Sequence, residues 1–180
     1  MISVLLSVFN GELWLKECIE SILNQTYKNF EFIIIDDGSY DKSLKIIKKY
    51  SNIDSRIKYI SQKNIGLCAS LNKALSIAKG EWIARIDSDD IACKERLKKQ
   101  LTYAKKYNLA LVGCQFNLIT QNGDLKKNLV IPTTHKELCS NLEHQRIMFK
   151  HSSVIFKKDL VLKLGGYRES MRKSQDYDLW

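Results

Sequence analysis

The sequence of 180 residues contains one proline and eight glycines, so nothing in it suggests linkers, collagen-like repeats or low-complexity segments. No apolar stretch approaches the roughly 20 residues that span a bilayer. The five cysteines are widely spaced and form neither a C-x-x-C pair nor a Cys/His ligand spacing, which argues against a zinc site and indicates a reducing compartment. No basic segment precedes the first apolar run, so we expect no signal peptide and a cytoplasmic protein.

Three common motifs for phosphate binding or nucleophilic catalysis are also missing. The sequence has no G-x-x-x-x-G-K-[ST] loop, no G-x-G-x-x-G after its first predicted strand and no G-x-S-x-G elbow. A phosphate-bearing ligand would therefore have to be held through a metal ion rather than a glycine-rich loop.

Basic residues outnumber acidic ones by 29 to 20, a formal net charge of +9. A surplus of this size can favour anionic partners such as nucleic acid, an anionic membrane face or phosphorylated substrates, but lysines that coat exposed helix faces are the simpler explanation. No nucleic-acid-binding module is recognisable, and acidic strand ends would repel phosphate, so we expect no nucleic-acid partner.

Apolar periodicity predicts alternating strands and helices over residues 1–114. The predicted strands are Ile2–Phe9, Glu31–Ile35, Arg56–Ile60, Trp82–Ile86 and Leu109–Cys114. The predicted helices are Glu12–Asn24, a segment capped by Asp41, Leu67–Ala78 and Lys94–Tyr107. This alternation implies a mostly parallel sheet with helices on both faces, and such sheets bind ligands at the carboxyl ends of their strands.

The pattern changes to mixed α/β over residues 115–180. The predicted elements are a hairpin of Phe116–Thr120 and Lys127–Ile131 around Asn122-Gly123, a helix at Leu138–Leu142, a strand at Val154–Phe156 and a helix at Asp159–Leu164. Without a linker or repeat, residues 1–180 are predicted to form one domain with two subregions. The chain stops at Trp180 without a closing element, so we expect a truncation.

Two acidic clusters follow buried strands. Asp87-Ser88-Asp89-Asp90 ends one strand, and Asp36-Asp37-Gly38-Ser39 ends another. Carboxylates at buried strand ends are costly unless a cation shares them, and Mg²⁺ is often held by one or two carboxylates plus substrate phosphates. For the first cluster the alternatives are a solvated acidic turn or the N-terminus of the helix that begins near Lys94, and for the second the alternative is an ordinary Asp-Gly turn. A carboxylate at Asp37 could also accept the N3–H of uracil, which cytosine lacks.

These segments together resemble the family 2 glycosyltransferases. Each piece is weak alone, but the ordered set covers essentially the whole chain and is specific. The matching pieces are Ser3–Asn10, Ser21–Thr26, Asp36–Ser39, Asn64–Leu67, Leu71–Leu75, Gly80–Asp90 and Gln175–Trp180. The later pieces His151–Val154 and Gly165–Tyr167 are most similar to the subgroup that builds bacterial exopolysaccharide and lipopolysaccharide.

The resemblance implies a GT-A fold, with a Rossmann-like, mostly parallel sheet flanked by helices and a mixed α/β C-terminal subregion. Residues 1–114 would bind the nucleotide sugar, and residues 115–180 would face the acceptor. The implied activity is inverting, metal-dependent hexosyl or N-acetylhexosaminyl transfer from a nucleotide sugar, usually UDP-linked, to a saccharide or lipid-linked acceptor, with Mn²⁺ or Mg²⁺. The alternative is a nucleotide-sugar-binding module that lacks turnover because it is truncated.

Carried over by position, the resemblance assigns roles to seven residues. The nucleotide-binding residues are Ser7, Phe9, Glu12, Asp37 and Asp87. Asp89 would ligate the metal, assisted by Asp87 directly or through bound water, and Asp176 would be the general base for the acceptor hydroxyl. Gln175 departs from the Glu that often precedes this base, which removes a negative charge beside Asp176.

Two further features allow both a structural and a functional interpretation. His151 could reach the diphosphate or the metal, or it could be a hydrogen-bonded structural histidine. The lysine-rich segment Lys94–Tyr107 could be a solvated helix face, or it could contact anionic lipid at the inner face of the cell membrane near a lipid-linked acceptor.

Overall fold

A computed structural model describes residues 1–120, 123–129, 131–144, 150–171 and 173–179, the side chains of 128, 129 and 142 excepted. The strands are β1 Ile2–Val8, β2 Phe30–Asp36, β3 Ile57–Ser61, β4 Trp82–Arg85, β5 Leu111–Val112, β6 Phe116–Ile119, β7 Leu125–Leu129 and β8 Ile155–Lys157. The helices are α1 Leu15–Leu23, α2 Ser43–Ile53, α3 Leu67–Ile77, α4 Arg96–Lys106, α5 His135–Glu143, α6 Lys158–Lys163 and α7 Gln175–Leu179.

The central sheet has six strands in the order β3-β2-β1-β4-β8-β5. The first four strands along the chain are mutually parallel, with Leu5 opposite Arg85 and Val8 opposite Asp36. This confirms the predicted mostly parallel α/β sheet. The predicted fifth strand is shorter than expected, and it does not border β4, because β8 lies antiparallel between the two.

Both faces of the sheet are covered by amphipathic helices. Helix α1 buries Leu15, Cys18, Ile19 and Ile22 at helical spacing, as its sequence pattern predicts. Two apolar clusters result, one including the buried faces of α1, α2 and α4 and the other including those of α3 and α6. Burying one large aliphatic side chain contributes about 1.5–3 kcal/mol, so these two clusters stabilise the sheet from both faces.

The second half differs from its prediction mainly in its helices. Helix α5 begins three residues earlier than expected, because Thr134 and Glu137 form a capping box in which the Glu137 amide donates to the Thr134 hydroxyl over 3.3 Å. Helix α7 was not predicted, and its Leu179 packs against the α3 side of the core. Strands β6 and β7 pair antiparallel, which confirms the hairpin, while Gln121 and Asn122 lie outside the described residues.

Asp41 lies just outside helix α2 instead of being its cap residue. Its Oδ1 accepts a hydrogen bond of 2.8 Å from the Ser43 amide in the first turn, and its Oδ2 accepts one of 2.9 Å from the Glu12 amide. Asp41 therefore ties the loop after β1 to the start of α2. No helix in the described part of the chain is both long enough and apolar enough to cross a bilayer.

Candidate active site

The loops after β1, β2 and β4 meet at one edge of the sheet. The Asp37 amide donates to the Val8 carbonyl over 2.8 Å, and the Ile86 amide donates to the Leu5 carbonyl over 3.2 Å. A methyl group added at Gly11 would lie 2.7 Å from Val8 Cγ2 and 3.1 Å from Ser88 Oγ. The β1 loop therefore packs directly on the β4 loop, and both acidic strand ends lie at the same edge, as predicted.

Hydrogen bonds join the β1 loop to the β2 loop. The Asn10 amide donates to Ser39 Oγ over 3.0 Å, and the Gly11 amide donates to Ser43 Oγ over 2.9 Å. Glu12, a predicted nucleotide-binding residue, is partly buried, and its Oε2 accepts a bond of 2.8 Å from the Lys42 amide. These bonds fix the backbone of the β1 loop before any ligand arrives.

Two other predicted nucleotide-binding residues, Ser7 and Phe9, lie at the carboxyl end of β1. Ser7 is partly buried within the strand, whereas Phe9 is 50% exposed. The Phe9 ring meets the Tyr40 ring edge to face, with centroids 5.8 Å apart. Phe9 thus offers an open aromatic surface at the strand edge, held on one side by Tyr40.

Asp37 is buried, with 3% of its surface exposed, and it anchors the loop after β3. Its Oδ1 accepts hydrogen bonds from Gln62 Nε2 and from the Ile65 amide, both 2.9 Å long. Its Oδ2 accepts one bond of 2.9 Å from the amide of Gly66, which has a φ of +92°. A carboxylate oxygen has two acceptor positions, so Oδ2 retains one for a further donor such as uracil N3–H.

Asp87 forms an ion pair with a buried arginine that sequence reasoning did not identify. Arg85 has 1% of its surface exposed, and its guanidinium donates to Asp87 Oδ1 and to the Ile86 carbonyl. Burial is the largest single effect and raises the pKa of Asp87, but the nearby positive charges, that of Arg85 first, and the hydrogen bond from Arg85 together hold that pKa below its usual value. Asp87 is therefore a fixed, ionised carboxylate whose side chain stays 40% exposed.

The other two acids of this strand end differ from Asp87 in their surroundings. Asp89 is exposed, and its carboxylate has no hydrogen-bond or ion-pair partner within the described ranges. Asp90 is partly buried; burial raises its pKa, a hydrogen bond from Ser152 opposes this, and the charges of Asp87 and Asp89 raise it further. Asp89 is thus the carboxylate available to a ligand.

This donor set fits a magnesium or manganese ion that shares its ligands with a substrate. Among the residues that the structure describes, no three His, Cys, Asp or Glu side chains converge to hold a metal by themselves. Mg²⁺ commonly takes one or two protein carboxylates and completes its octahedron with phosphate oxygens and water. Asp89 and the open part of Asp87 can supply such a partial set.

His151 and Tyr167 form a buried pair beside Arg85. His151 Nε2 and the Tyr167 hydroxyl share a hydrogen bond of 2.8 Å. Burial, and after it the positive charge of Arg85, lower the pKa of His151 to about 3, so the ring is neutral near pH 7. The hydrogen bond supports the structural interpretation of His151.

Helix α7 brings Asp176 to the same region. Burial raises the pKa of Tyr167, and the charges of Asp87 and Asp176 add to that rise. Both carboxylates therefore lie near the Tyr167 hydroxyl, which connects α7 to the end of β4. Asp176 itself is partly buried.

Tyr167 is held in place by Asn72 on helix α3. The Asn72 amide donates to the Tyr167 carbonyl, and the Tyr167 amide donates back to Asn72 Oδ1, each over 2.8 Å. A methyl group at Gly166 would lie 2.6 Å from Asn72 Oδ1, so glycine permits this close approach. Asn72 and Tyr167 were within the matching segments but had no assigned role, because this contact joins residues 95 positions apart.

Comparison with known proteins identifies the family. The profile described as "Glycosyl transferase family 2" matches residues 3–164. The chain belongs to this family. That result confirms the resemblance drawn from the motifs.

Individual relatives agree with this membership. The chain is 39% identical to the O-antigen biosynthesis glycosyltransferase WbnJ of Escherichia coli, over all of this chain and 70% of that protein. Staphylococcus aureus TarS 1-349 in complex with UDP-GlcNAc matches with a TM-score of 0.80 and 23% identity, over 98% of this chain and 51% of that one.

A second solved structure shares the fold at lower identity. The mannosyltransferase PcManGT from Pyrobaculum calidifontis, in complex with GDP-Man and Mn²⁺, matches with a TM-score of 0.72 and 16% identity. This match covers 98% of our chain and 50% of the mannosyltransferase. The family 2 chain described here thus spans about half the length of these solved structures.

Proposed function

We propose that this family 2 chain is the catalytic domain of a metal-dependent, inverting glycosyltransferase. It transfers a hexosyl or N-acetylhexosaminyl group from a UDP-linked sugar to a saccharide or lipid-linked acceptor during the synthesis of bacterial cell-surface polysaccharide, including lipopolysaccharide. The observation that carries the proposal is the exposed Asp89 carboxylate beside the ionised Asp87. Both lie at the edge of the sheet where the loops after β1 and β2 also lie.

The nucleoside half of the donor would occupy the β1–β2 side of this edge. Phe9 offers its open ring face, with Ser7 and Glu12 next to it on the same strand end and loop. Asp37 would accept the uracil N3–H through the free acceptor position on Oδ2. TarS structures with UDP and with UDP-GlcNAc support a uridine donor, whereas the GDP-Man complex of PcManGT shows that the fold also accommodates guanosine.

The diphosphate half would lie at the end of β4. Asp89 and the open side of Asp87 would hold Mn²⁺ or Mg²⁺ together with the diphosphate oxygens. The ion would neutralise charge that develops on the leaving diphosphate. The Mn²⁺ complex of PcManGT supports a divalent cation for this family 2 chain.

Asp176 would act on the acceptor. It would take the proton from the acceptor hydroxyl while that oxygen attacks the anomeric carbon from the face opposite the diphosphate. A single displacement of this kind inverts the configuration. The shared proximity of Asp176 and Asp87 to Tyr167 supports this assignment, because base and metal carboxylate must flank the same sugar.

Ligand-induced stabilisation tests the proposal. UDP with Mn²⁺ is expected to raise the melting temperature of the wild type, because a ligand that binds only the folded state stabilises it by about 2.7 kcal/mol at 100 times its dissociation constant. Asp89→Asn should abolish the Mn²⁺-dependent part of the shift. Asp124→Asn, an exposed acid in the β6–β7 hairpin, is the matched control.

A transfer assay with a panel of nucleotide sugars then separates catalysis from binding. Transfer to an acceptor or donor hydrolysis supports the enzyme, with Asp176→Asn expected to lower kcat by about 10²–10⁴ while leaving the UDP shift intact. Donor binding without turnover would instead support a nucleotide-sugar-binding module. The absence of any shift at millimolar UDP and Mn²⁺ would refute both.

A further inference from the structure

Arg85 is a buried cation inside the acidic end of β4. Its guanidinium contacts the Asp87 carboxylate and the Ile86 carbonyl, and its Nε has no hydrogen-bond partner within the described chain. Leaving a buried charge without a counter-ion is strongly destabilising, so Asp87 is the main compensation for this guanidinium. Helix α4 also contacts the end of β4, because Arg96 Nη2 donates a hydrogen bond of 2.7 Å to the Arg85 carbonyl.

The groups that the structure describes around Arg85, apart from the acids at the end of β4, supply no negative charge to balance its guanidinium. His151 lies close but is neutral, and Arg96 is a second buried cation turned to backbone carbonyls. Asp90 is engaged with Ser152. The arginine therefore compensates Asp87, whereas Asp89 remains free.

We infer that Arg85 is a positioning residue that orients Asp87 and cancels its charge, so that this strand end holds a divalent cation firmly only when a nucleotide diphosphate arrives with it. The inference rests on the proposed function. With Oδ1 of Asp87 occupied by Arg85, the chain offers a metal the Asp89 carboxylate and Asp87 Oδ2. Tight binding then needs the negative oxygens of the diphosphate, which favours entry of donor and metal together.

Binding of Mn²⁺ alone, followed by electron paramagnetic resonance without nucleotide, distinguishes this role from simple structural support. Arg85→Gln is expected to bind Mn²⁺ alone about five- to tenfold more tightly than the wild type, because removing a nearby positive charge strengthens the attraction of the acids for a cation. The same variant should bind UDP with Mn²⁺ more weakly, since Asp87 loses its orientation. Structural damage would weaken both.

A matched control lies at the opposite edge of the sheet. Arg56 pairs over 2.6 Å with Asp54, which lies two residues before it in the chain, whereas Asp87 lies two residues after Arg85. Arg56→Gln makes the same charge change away from the acids and should alter neither affinity. Arg85→Lys keeps the positive charge but cannot donate to Asp87 and to the Ile86 carbonyl in the same geometry. This variant should bind Mn²⁺ alone as the wild type does, and it should bind UDP with Mn²⁺ less tightly.

A stability comparison decides the matter even if Arg85→Gln does not fold. Asp87→Asn should lower the melting temperature without any ligand by about 5 °C or more, because it leaves the buried guanidinium without its counter-ion. Asp89→Asn should leave that temperature within about 1 °C of the wild type, as expected for a surface substitution.

Two results would overturn the inference. One is an Arg85→Gln variant that folds and binds Mn²⁺ alone no more tightly than the wild type. The other is equal ligand-free stability of Asp87→Asn and Asp89→Asn. A wild type that binds no UDP with Mn²⁺ at all would instead refute the proposed function, which the stability comparison does not depend on.

Discussion

At the residue scale, the site depends on ionisable groups whose neighbours fix their charge. His151 is buried, shares a hydrogen bond with Tyr167 and has a pKa of about 3, so folding keeps it neutral. In the unfolded chain its pKa is near the reference value of about 6.5. The unfolded state therefore binds more protons than the folded state between these two values.

This difference predicts how stability depends on pH. The contribution of His151 is complete above pH 6.5 and is lost as pH falls toward 3, at up to about 1.4 kcal/mol per pH unit. His151→Gln, which can still bond to Tyr167, should flatten the fall in unfolding free energy between pH 6.5 and 4. Urea titrations at several pH values measure this, with His144→Gln, an exposed histidine, as the control. Equal slopes in the wild type and His151→Gln would contradict the assignment.

The acids were predictable at this scale, but their partners were not. Asp36-Asp37 and Asp87–Asp90 stand out because each cluster follows an apolar run. The pairing of Arg85 with Asp87 was not deduced, although a charged residue inside an apolar strand needs a counter-ion. The pairing of His151 with Tyr167 depends on the folded path of the second half, which no local pattern reveals.

At the element scale, Asp37 holds the β3–α3 loop against the end of β2. Its carboxylate receives two backbone amides, from Ile65 and Gly66, and one side-chain amide, from Gln62. The loop is thus ordered by one side chain from the neighbouring strand. It lies beside the proposed position of the uracil base.

Asp37→Ala should release this loop. Three donors lose their acceptor, and an unsatisfied buried donor costs about 1–3 kcal/mol, so we expect the unfolding free energy to fall by at least about 2 kcal/mol. Hydrogen exchange at the Ile65 and Gly66 amides should accelerate more than exchange at the amides of β1, which serve as the internal reference. Unchanged protection of the two loop amides would contradict this role.

Local sequence patterns predict most of the helices and strands, but they do not predict which strands lie side by side in the sheet. The periodicity of α1 and the apolar run of β1 were visible in the sequence because each buries a regular set of positions. The insertion of β8 between β4 and β5 was not visible, because it joins segments about 70 residues apart through backbone hydrogen bonds. Helix α7 is short, and its apolar contact is made by Leu179 with a distant cluster.

At the scale of the whole molecule, part of the net charge of +9 is carried by lysines on the outer face of helix α4. Helix α4 turns Leu97, Leu101 and Ala104 inward. Its outer face, with the adjoining turn, exposes Lys98, Lys99, Lys105 and Lys106 beside the aromatic rings of Tyr103 and Tyr107. Basic and aromatic side chains together suit an anionic lipid surface. Peripheral contact of this face with an anionic membrane is one of the two interpretations that the sequence allows for this segment, and it stays a prediction.

Vesicle co-sedimentation tests this contact. Vesicles with anionic lipid should bind the protein and release it in high salt, because each lysine near the surface contributes about 1 kcal/mol that salt screens. Changing the four α4 lysines to Gln should abolish binding. Changing Lys42, Lys45, Lys48 and Lys49, which are exposed around α2, removes the same charge from another surface. Equal losses in both variants would show that net charge alone drives the association.

A crystal structure of the complex with UDP and Mn²⁺ tests the central claim most directly, because anomalous scattering locates the manganese ion. We expect the anomalous peak within coordination distance of an Asp89 carboxylate oxygen, with the uracil edge facing Asp37 and the diphosphate between the β1 and β4 loops. A manganese peak away from Asp89, or a nucleotide bound elsewhere on the molecule, would contradict the account.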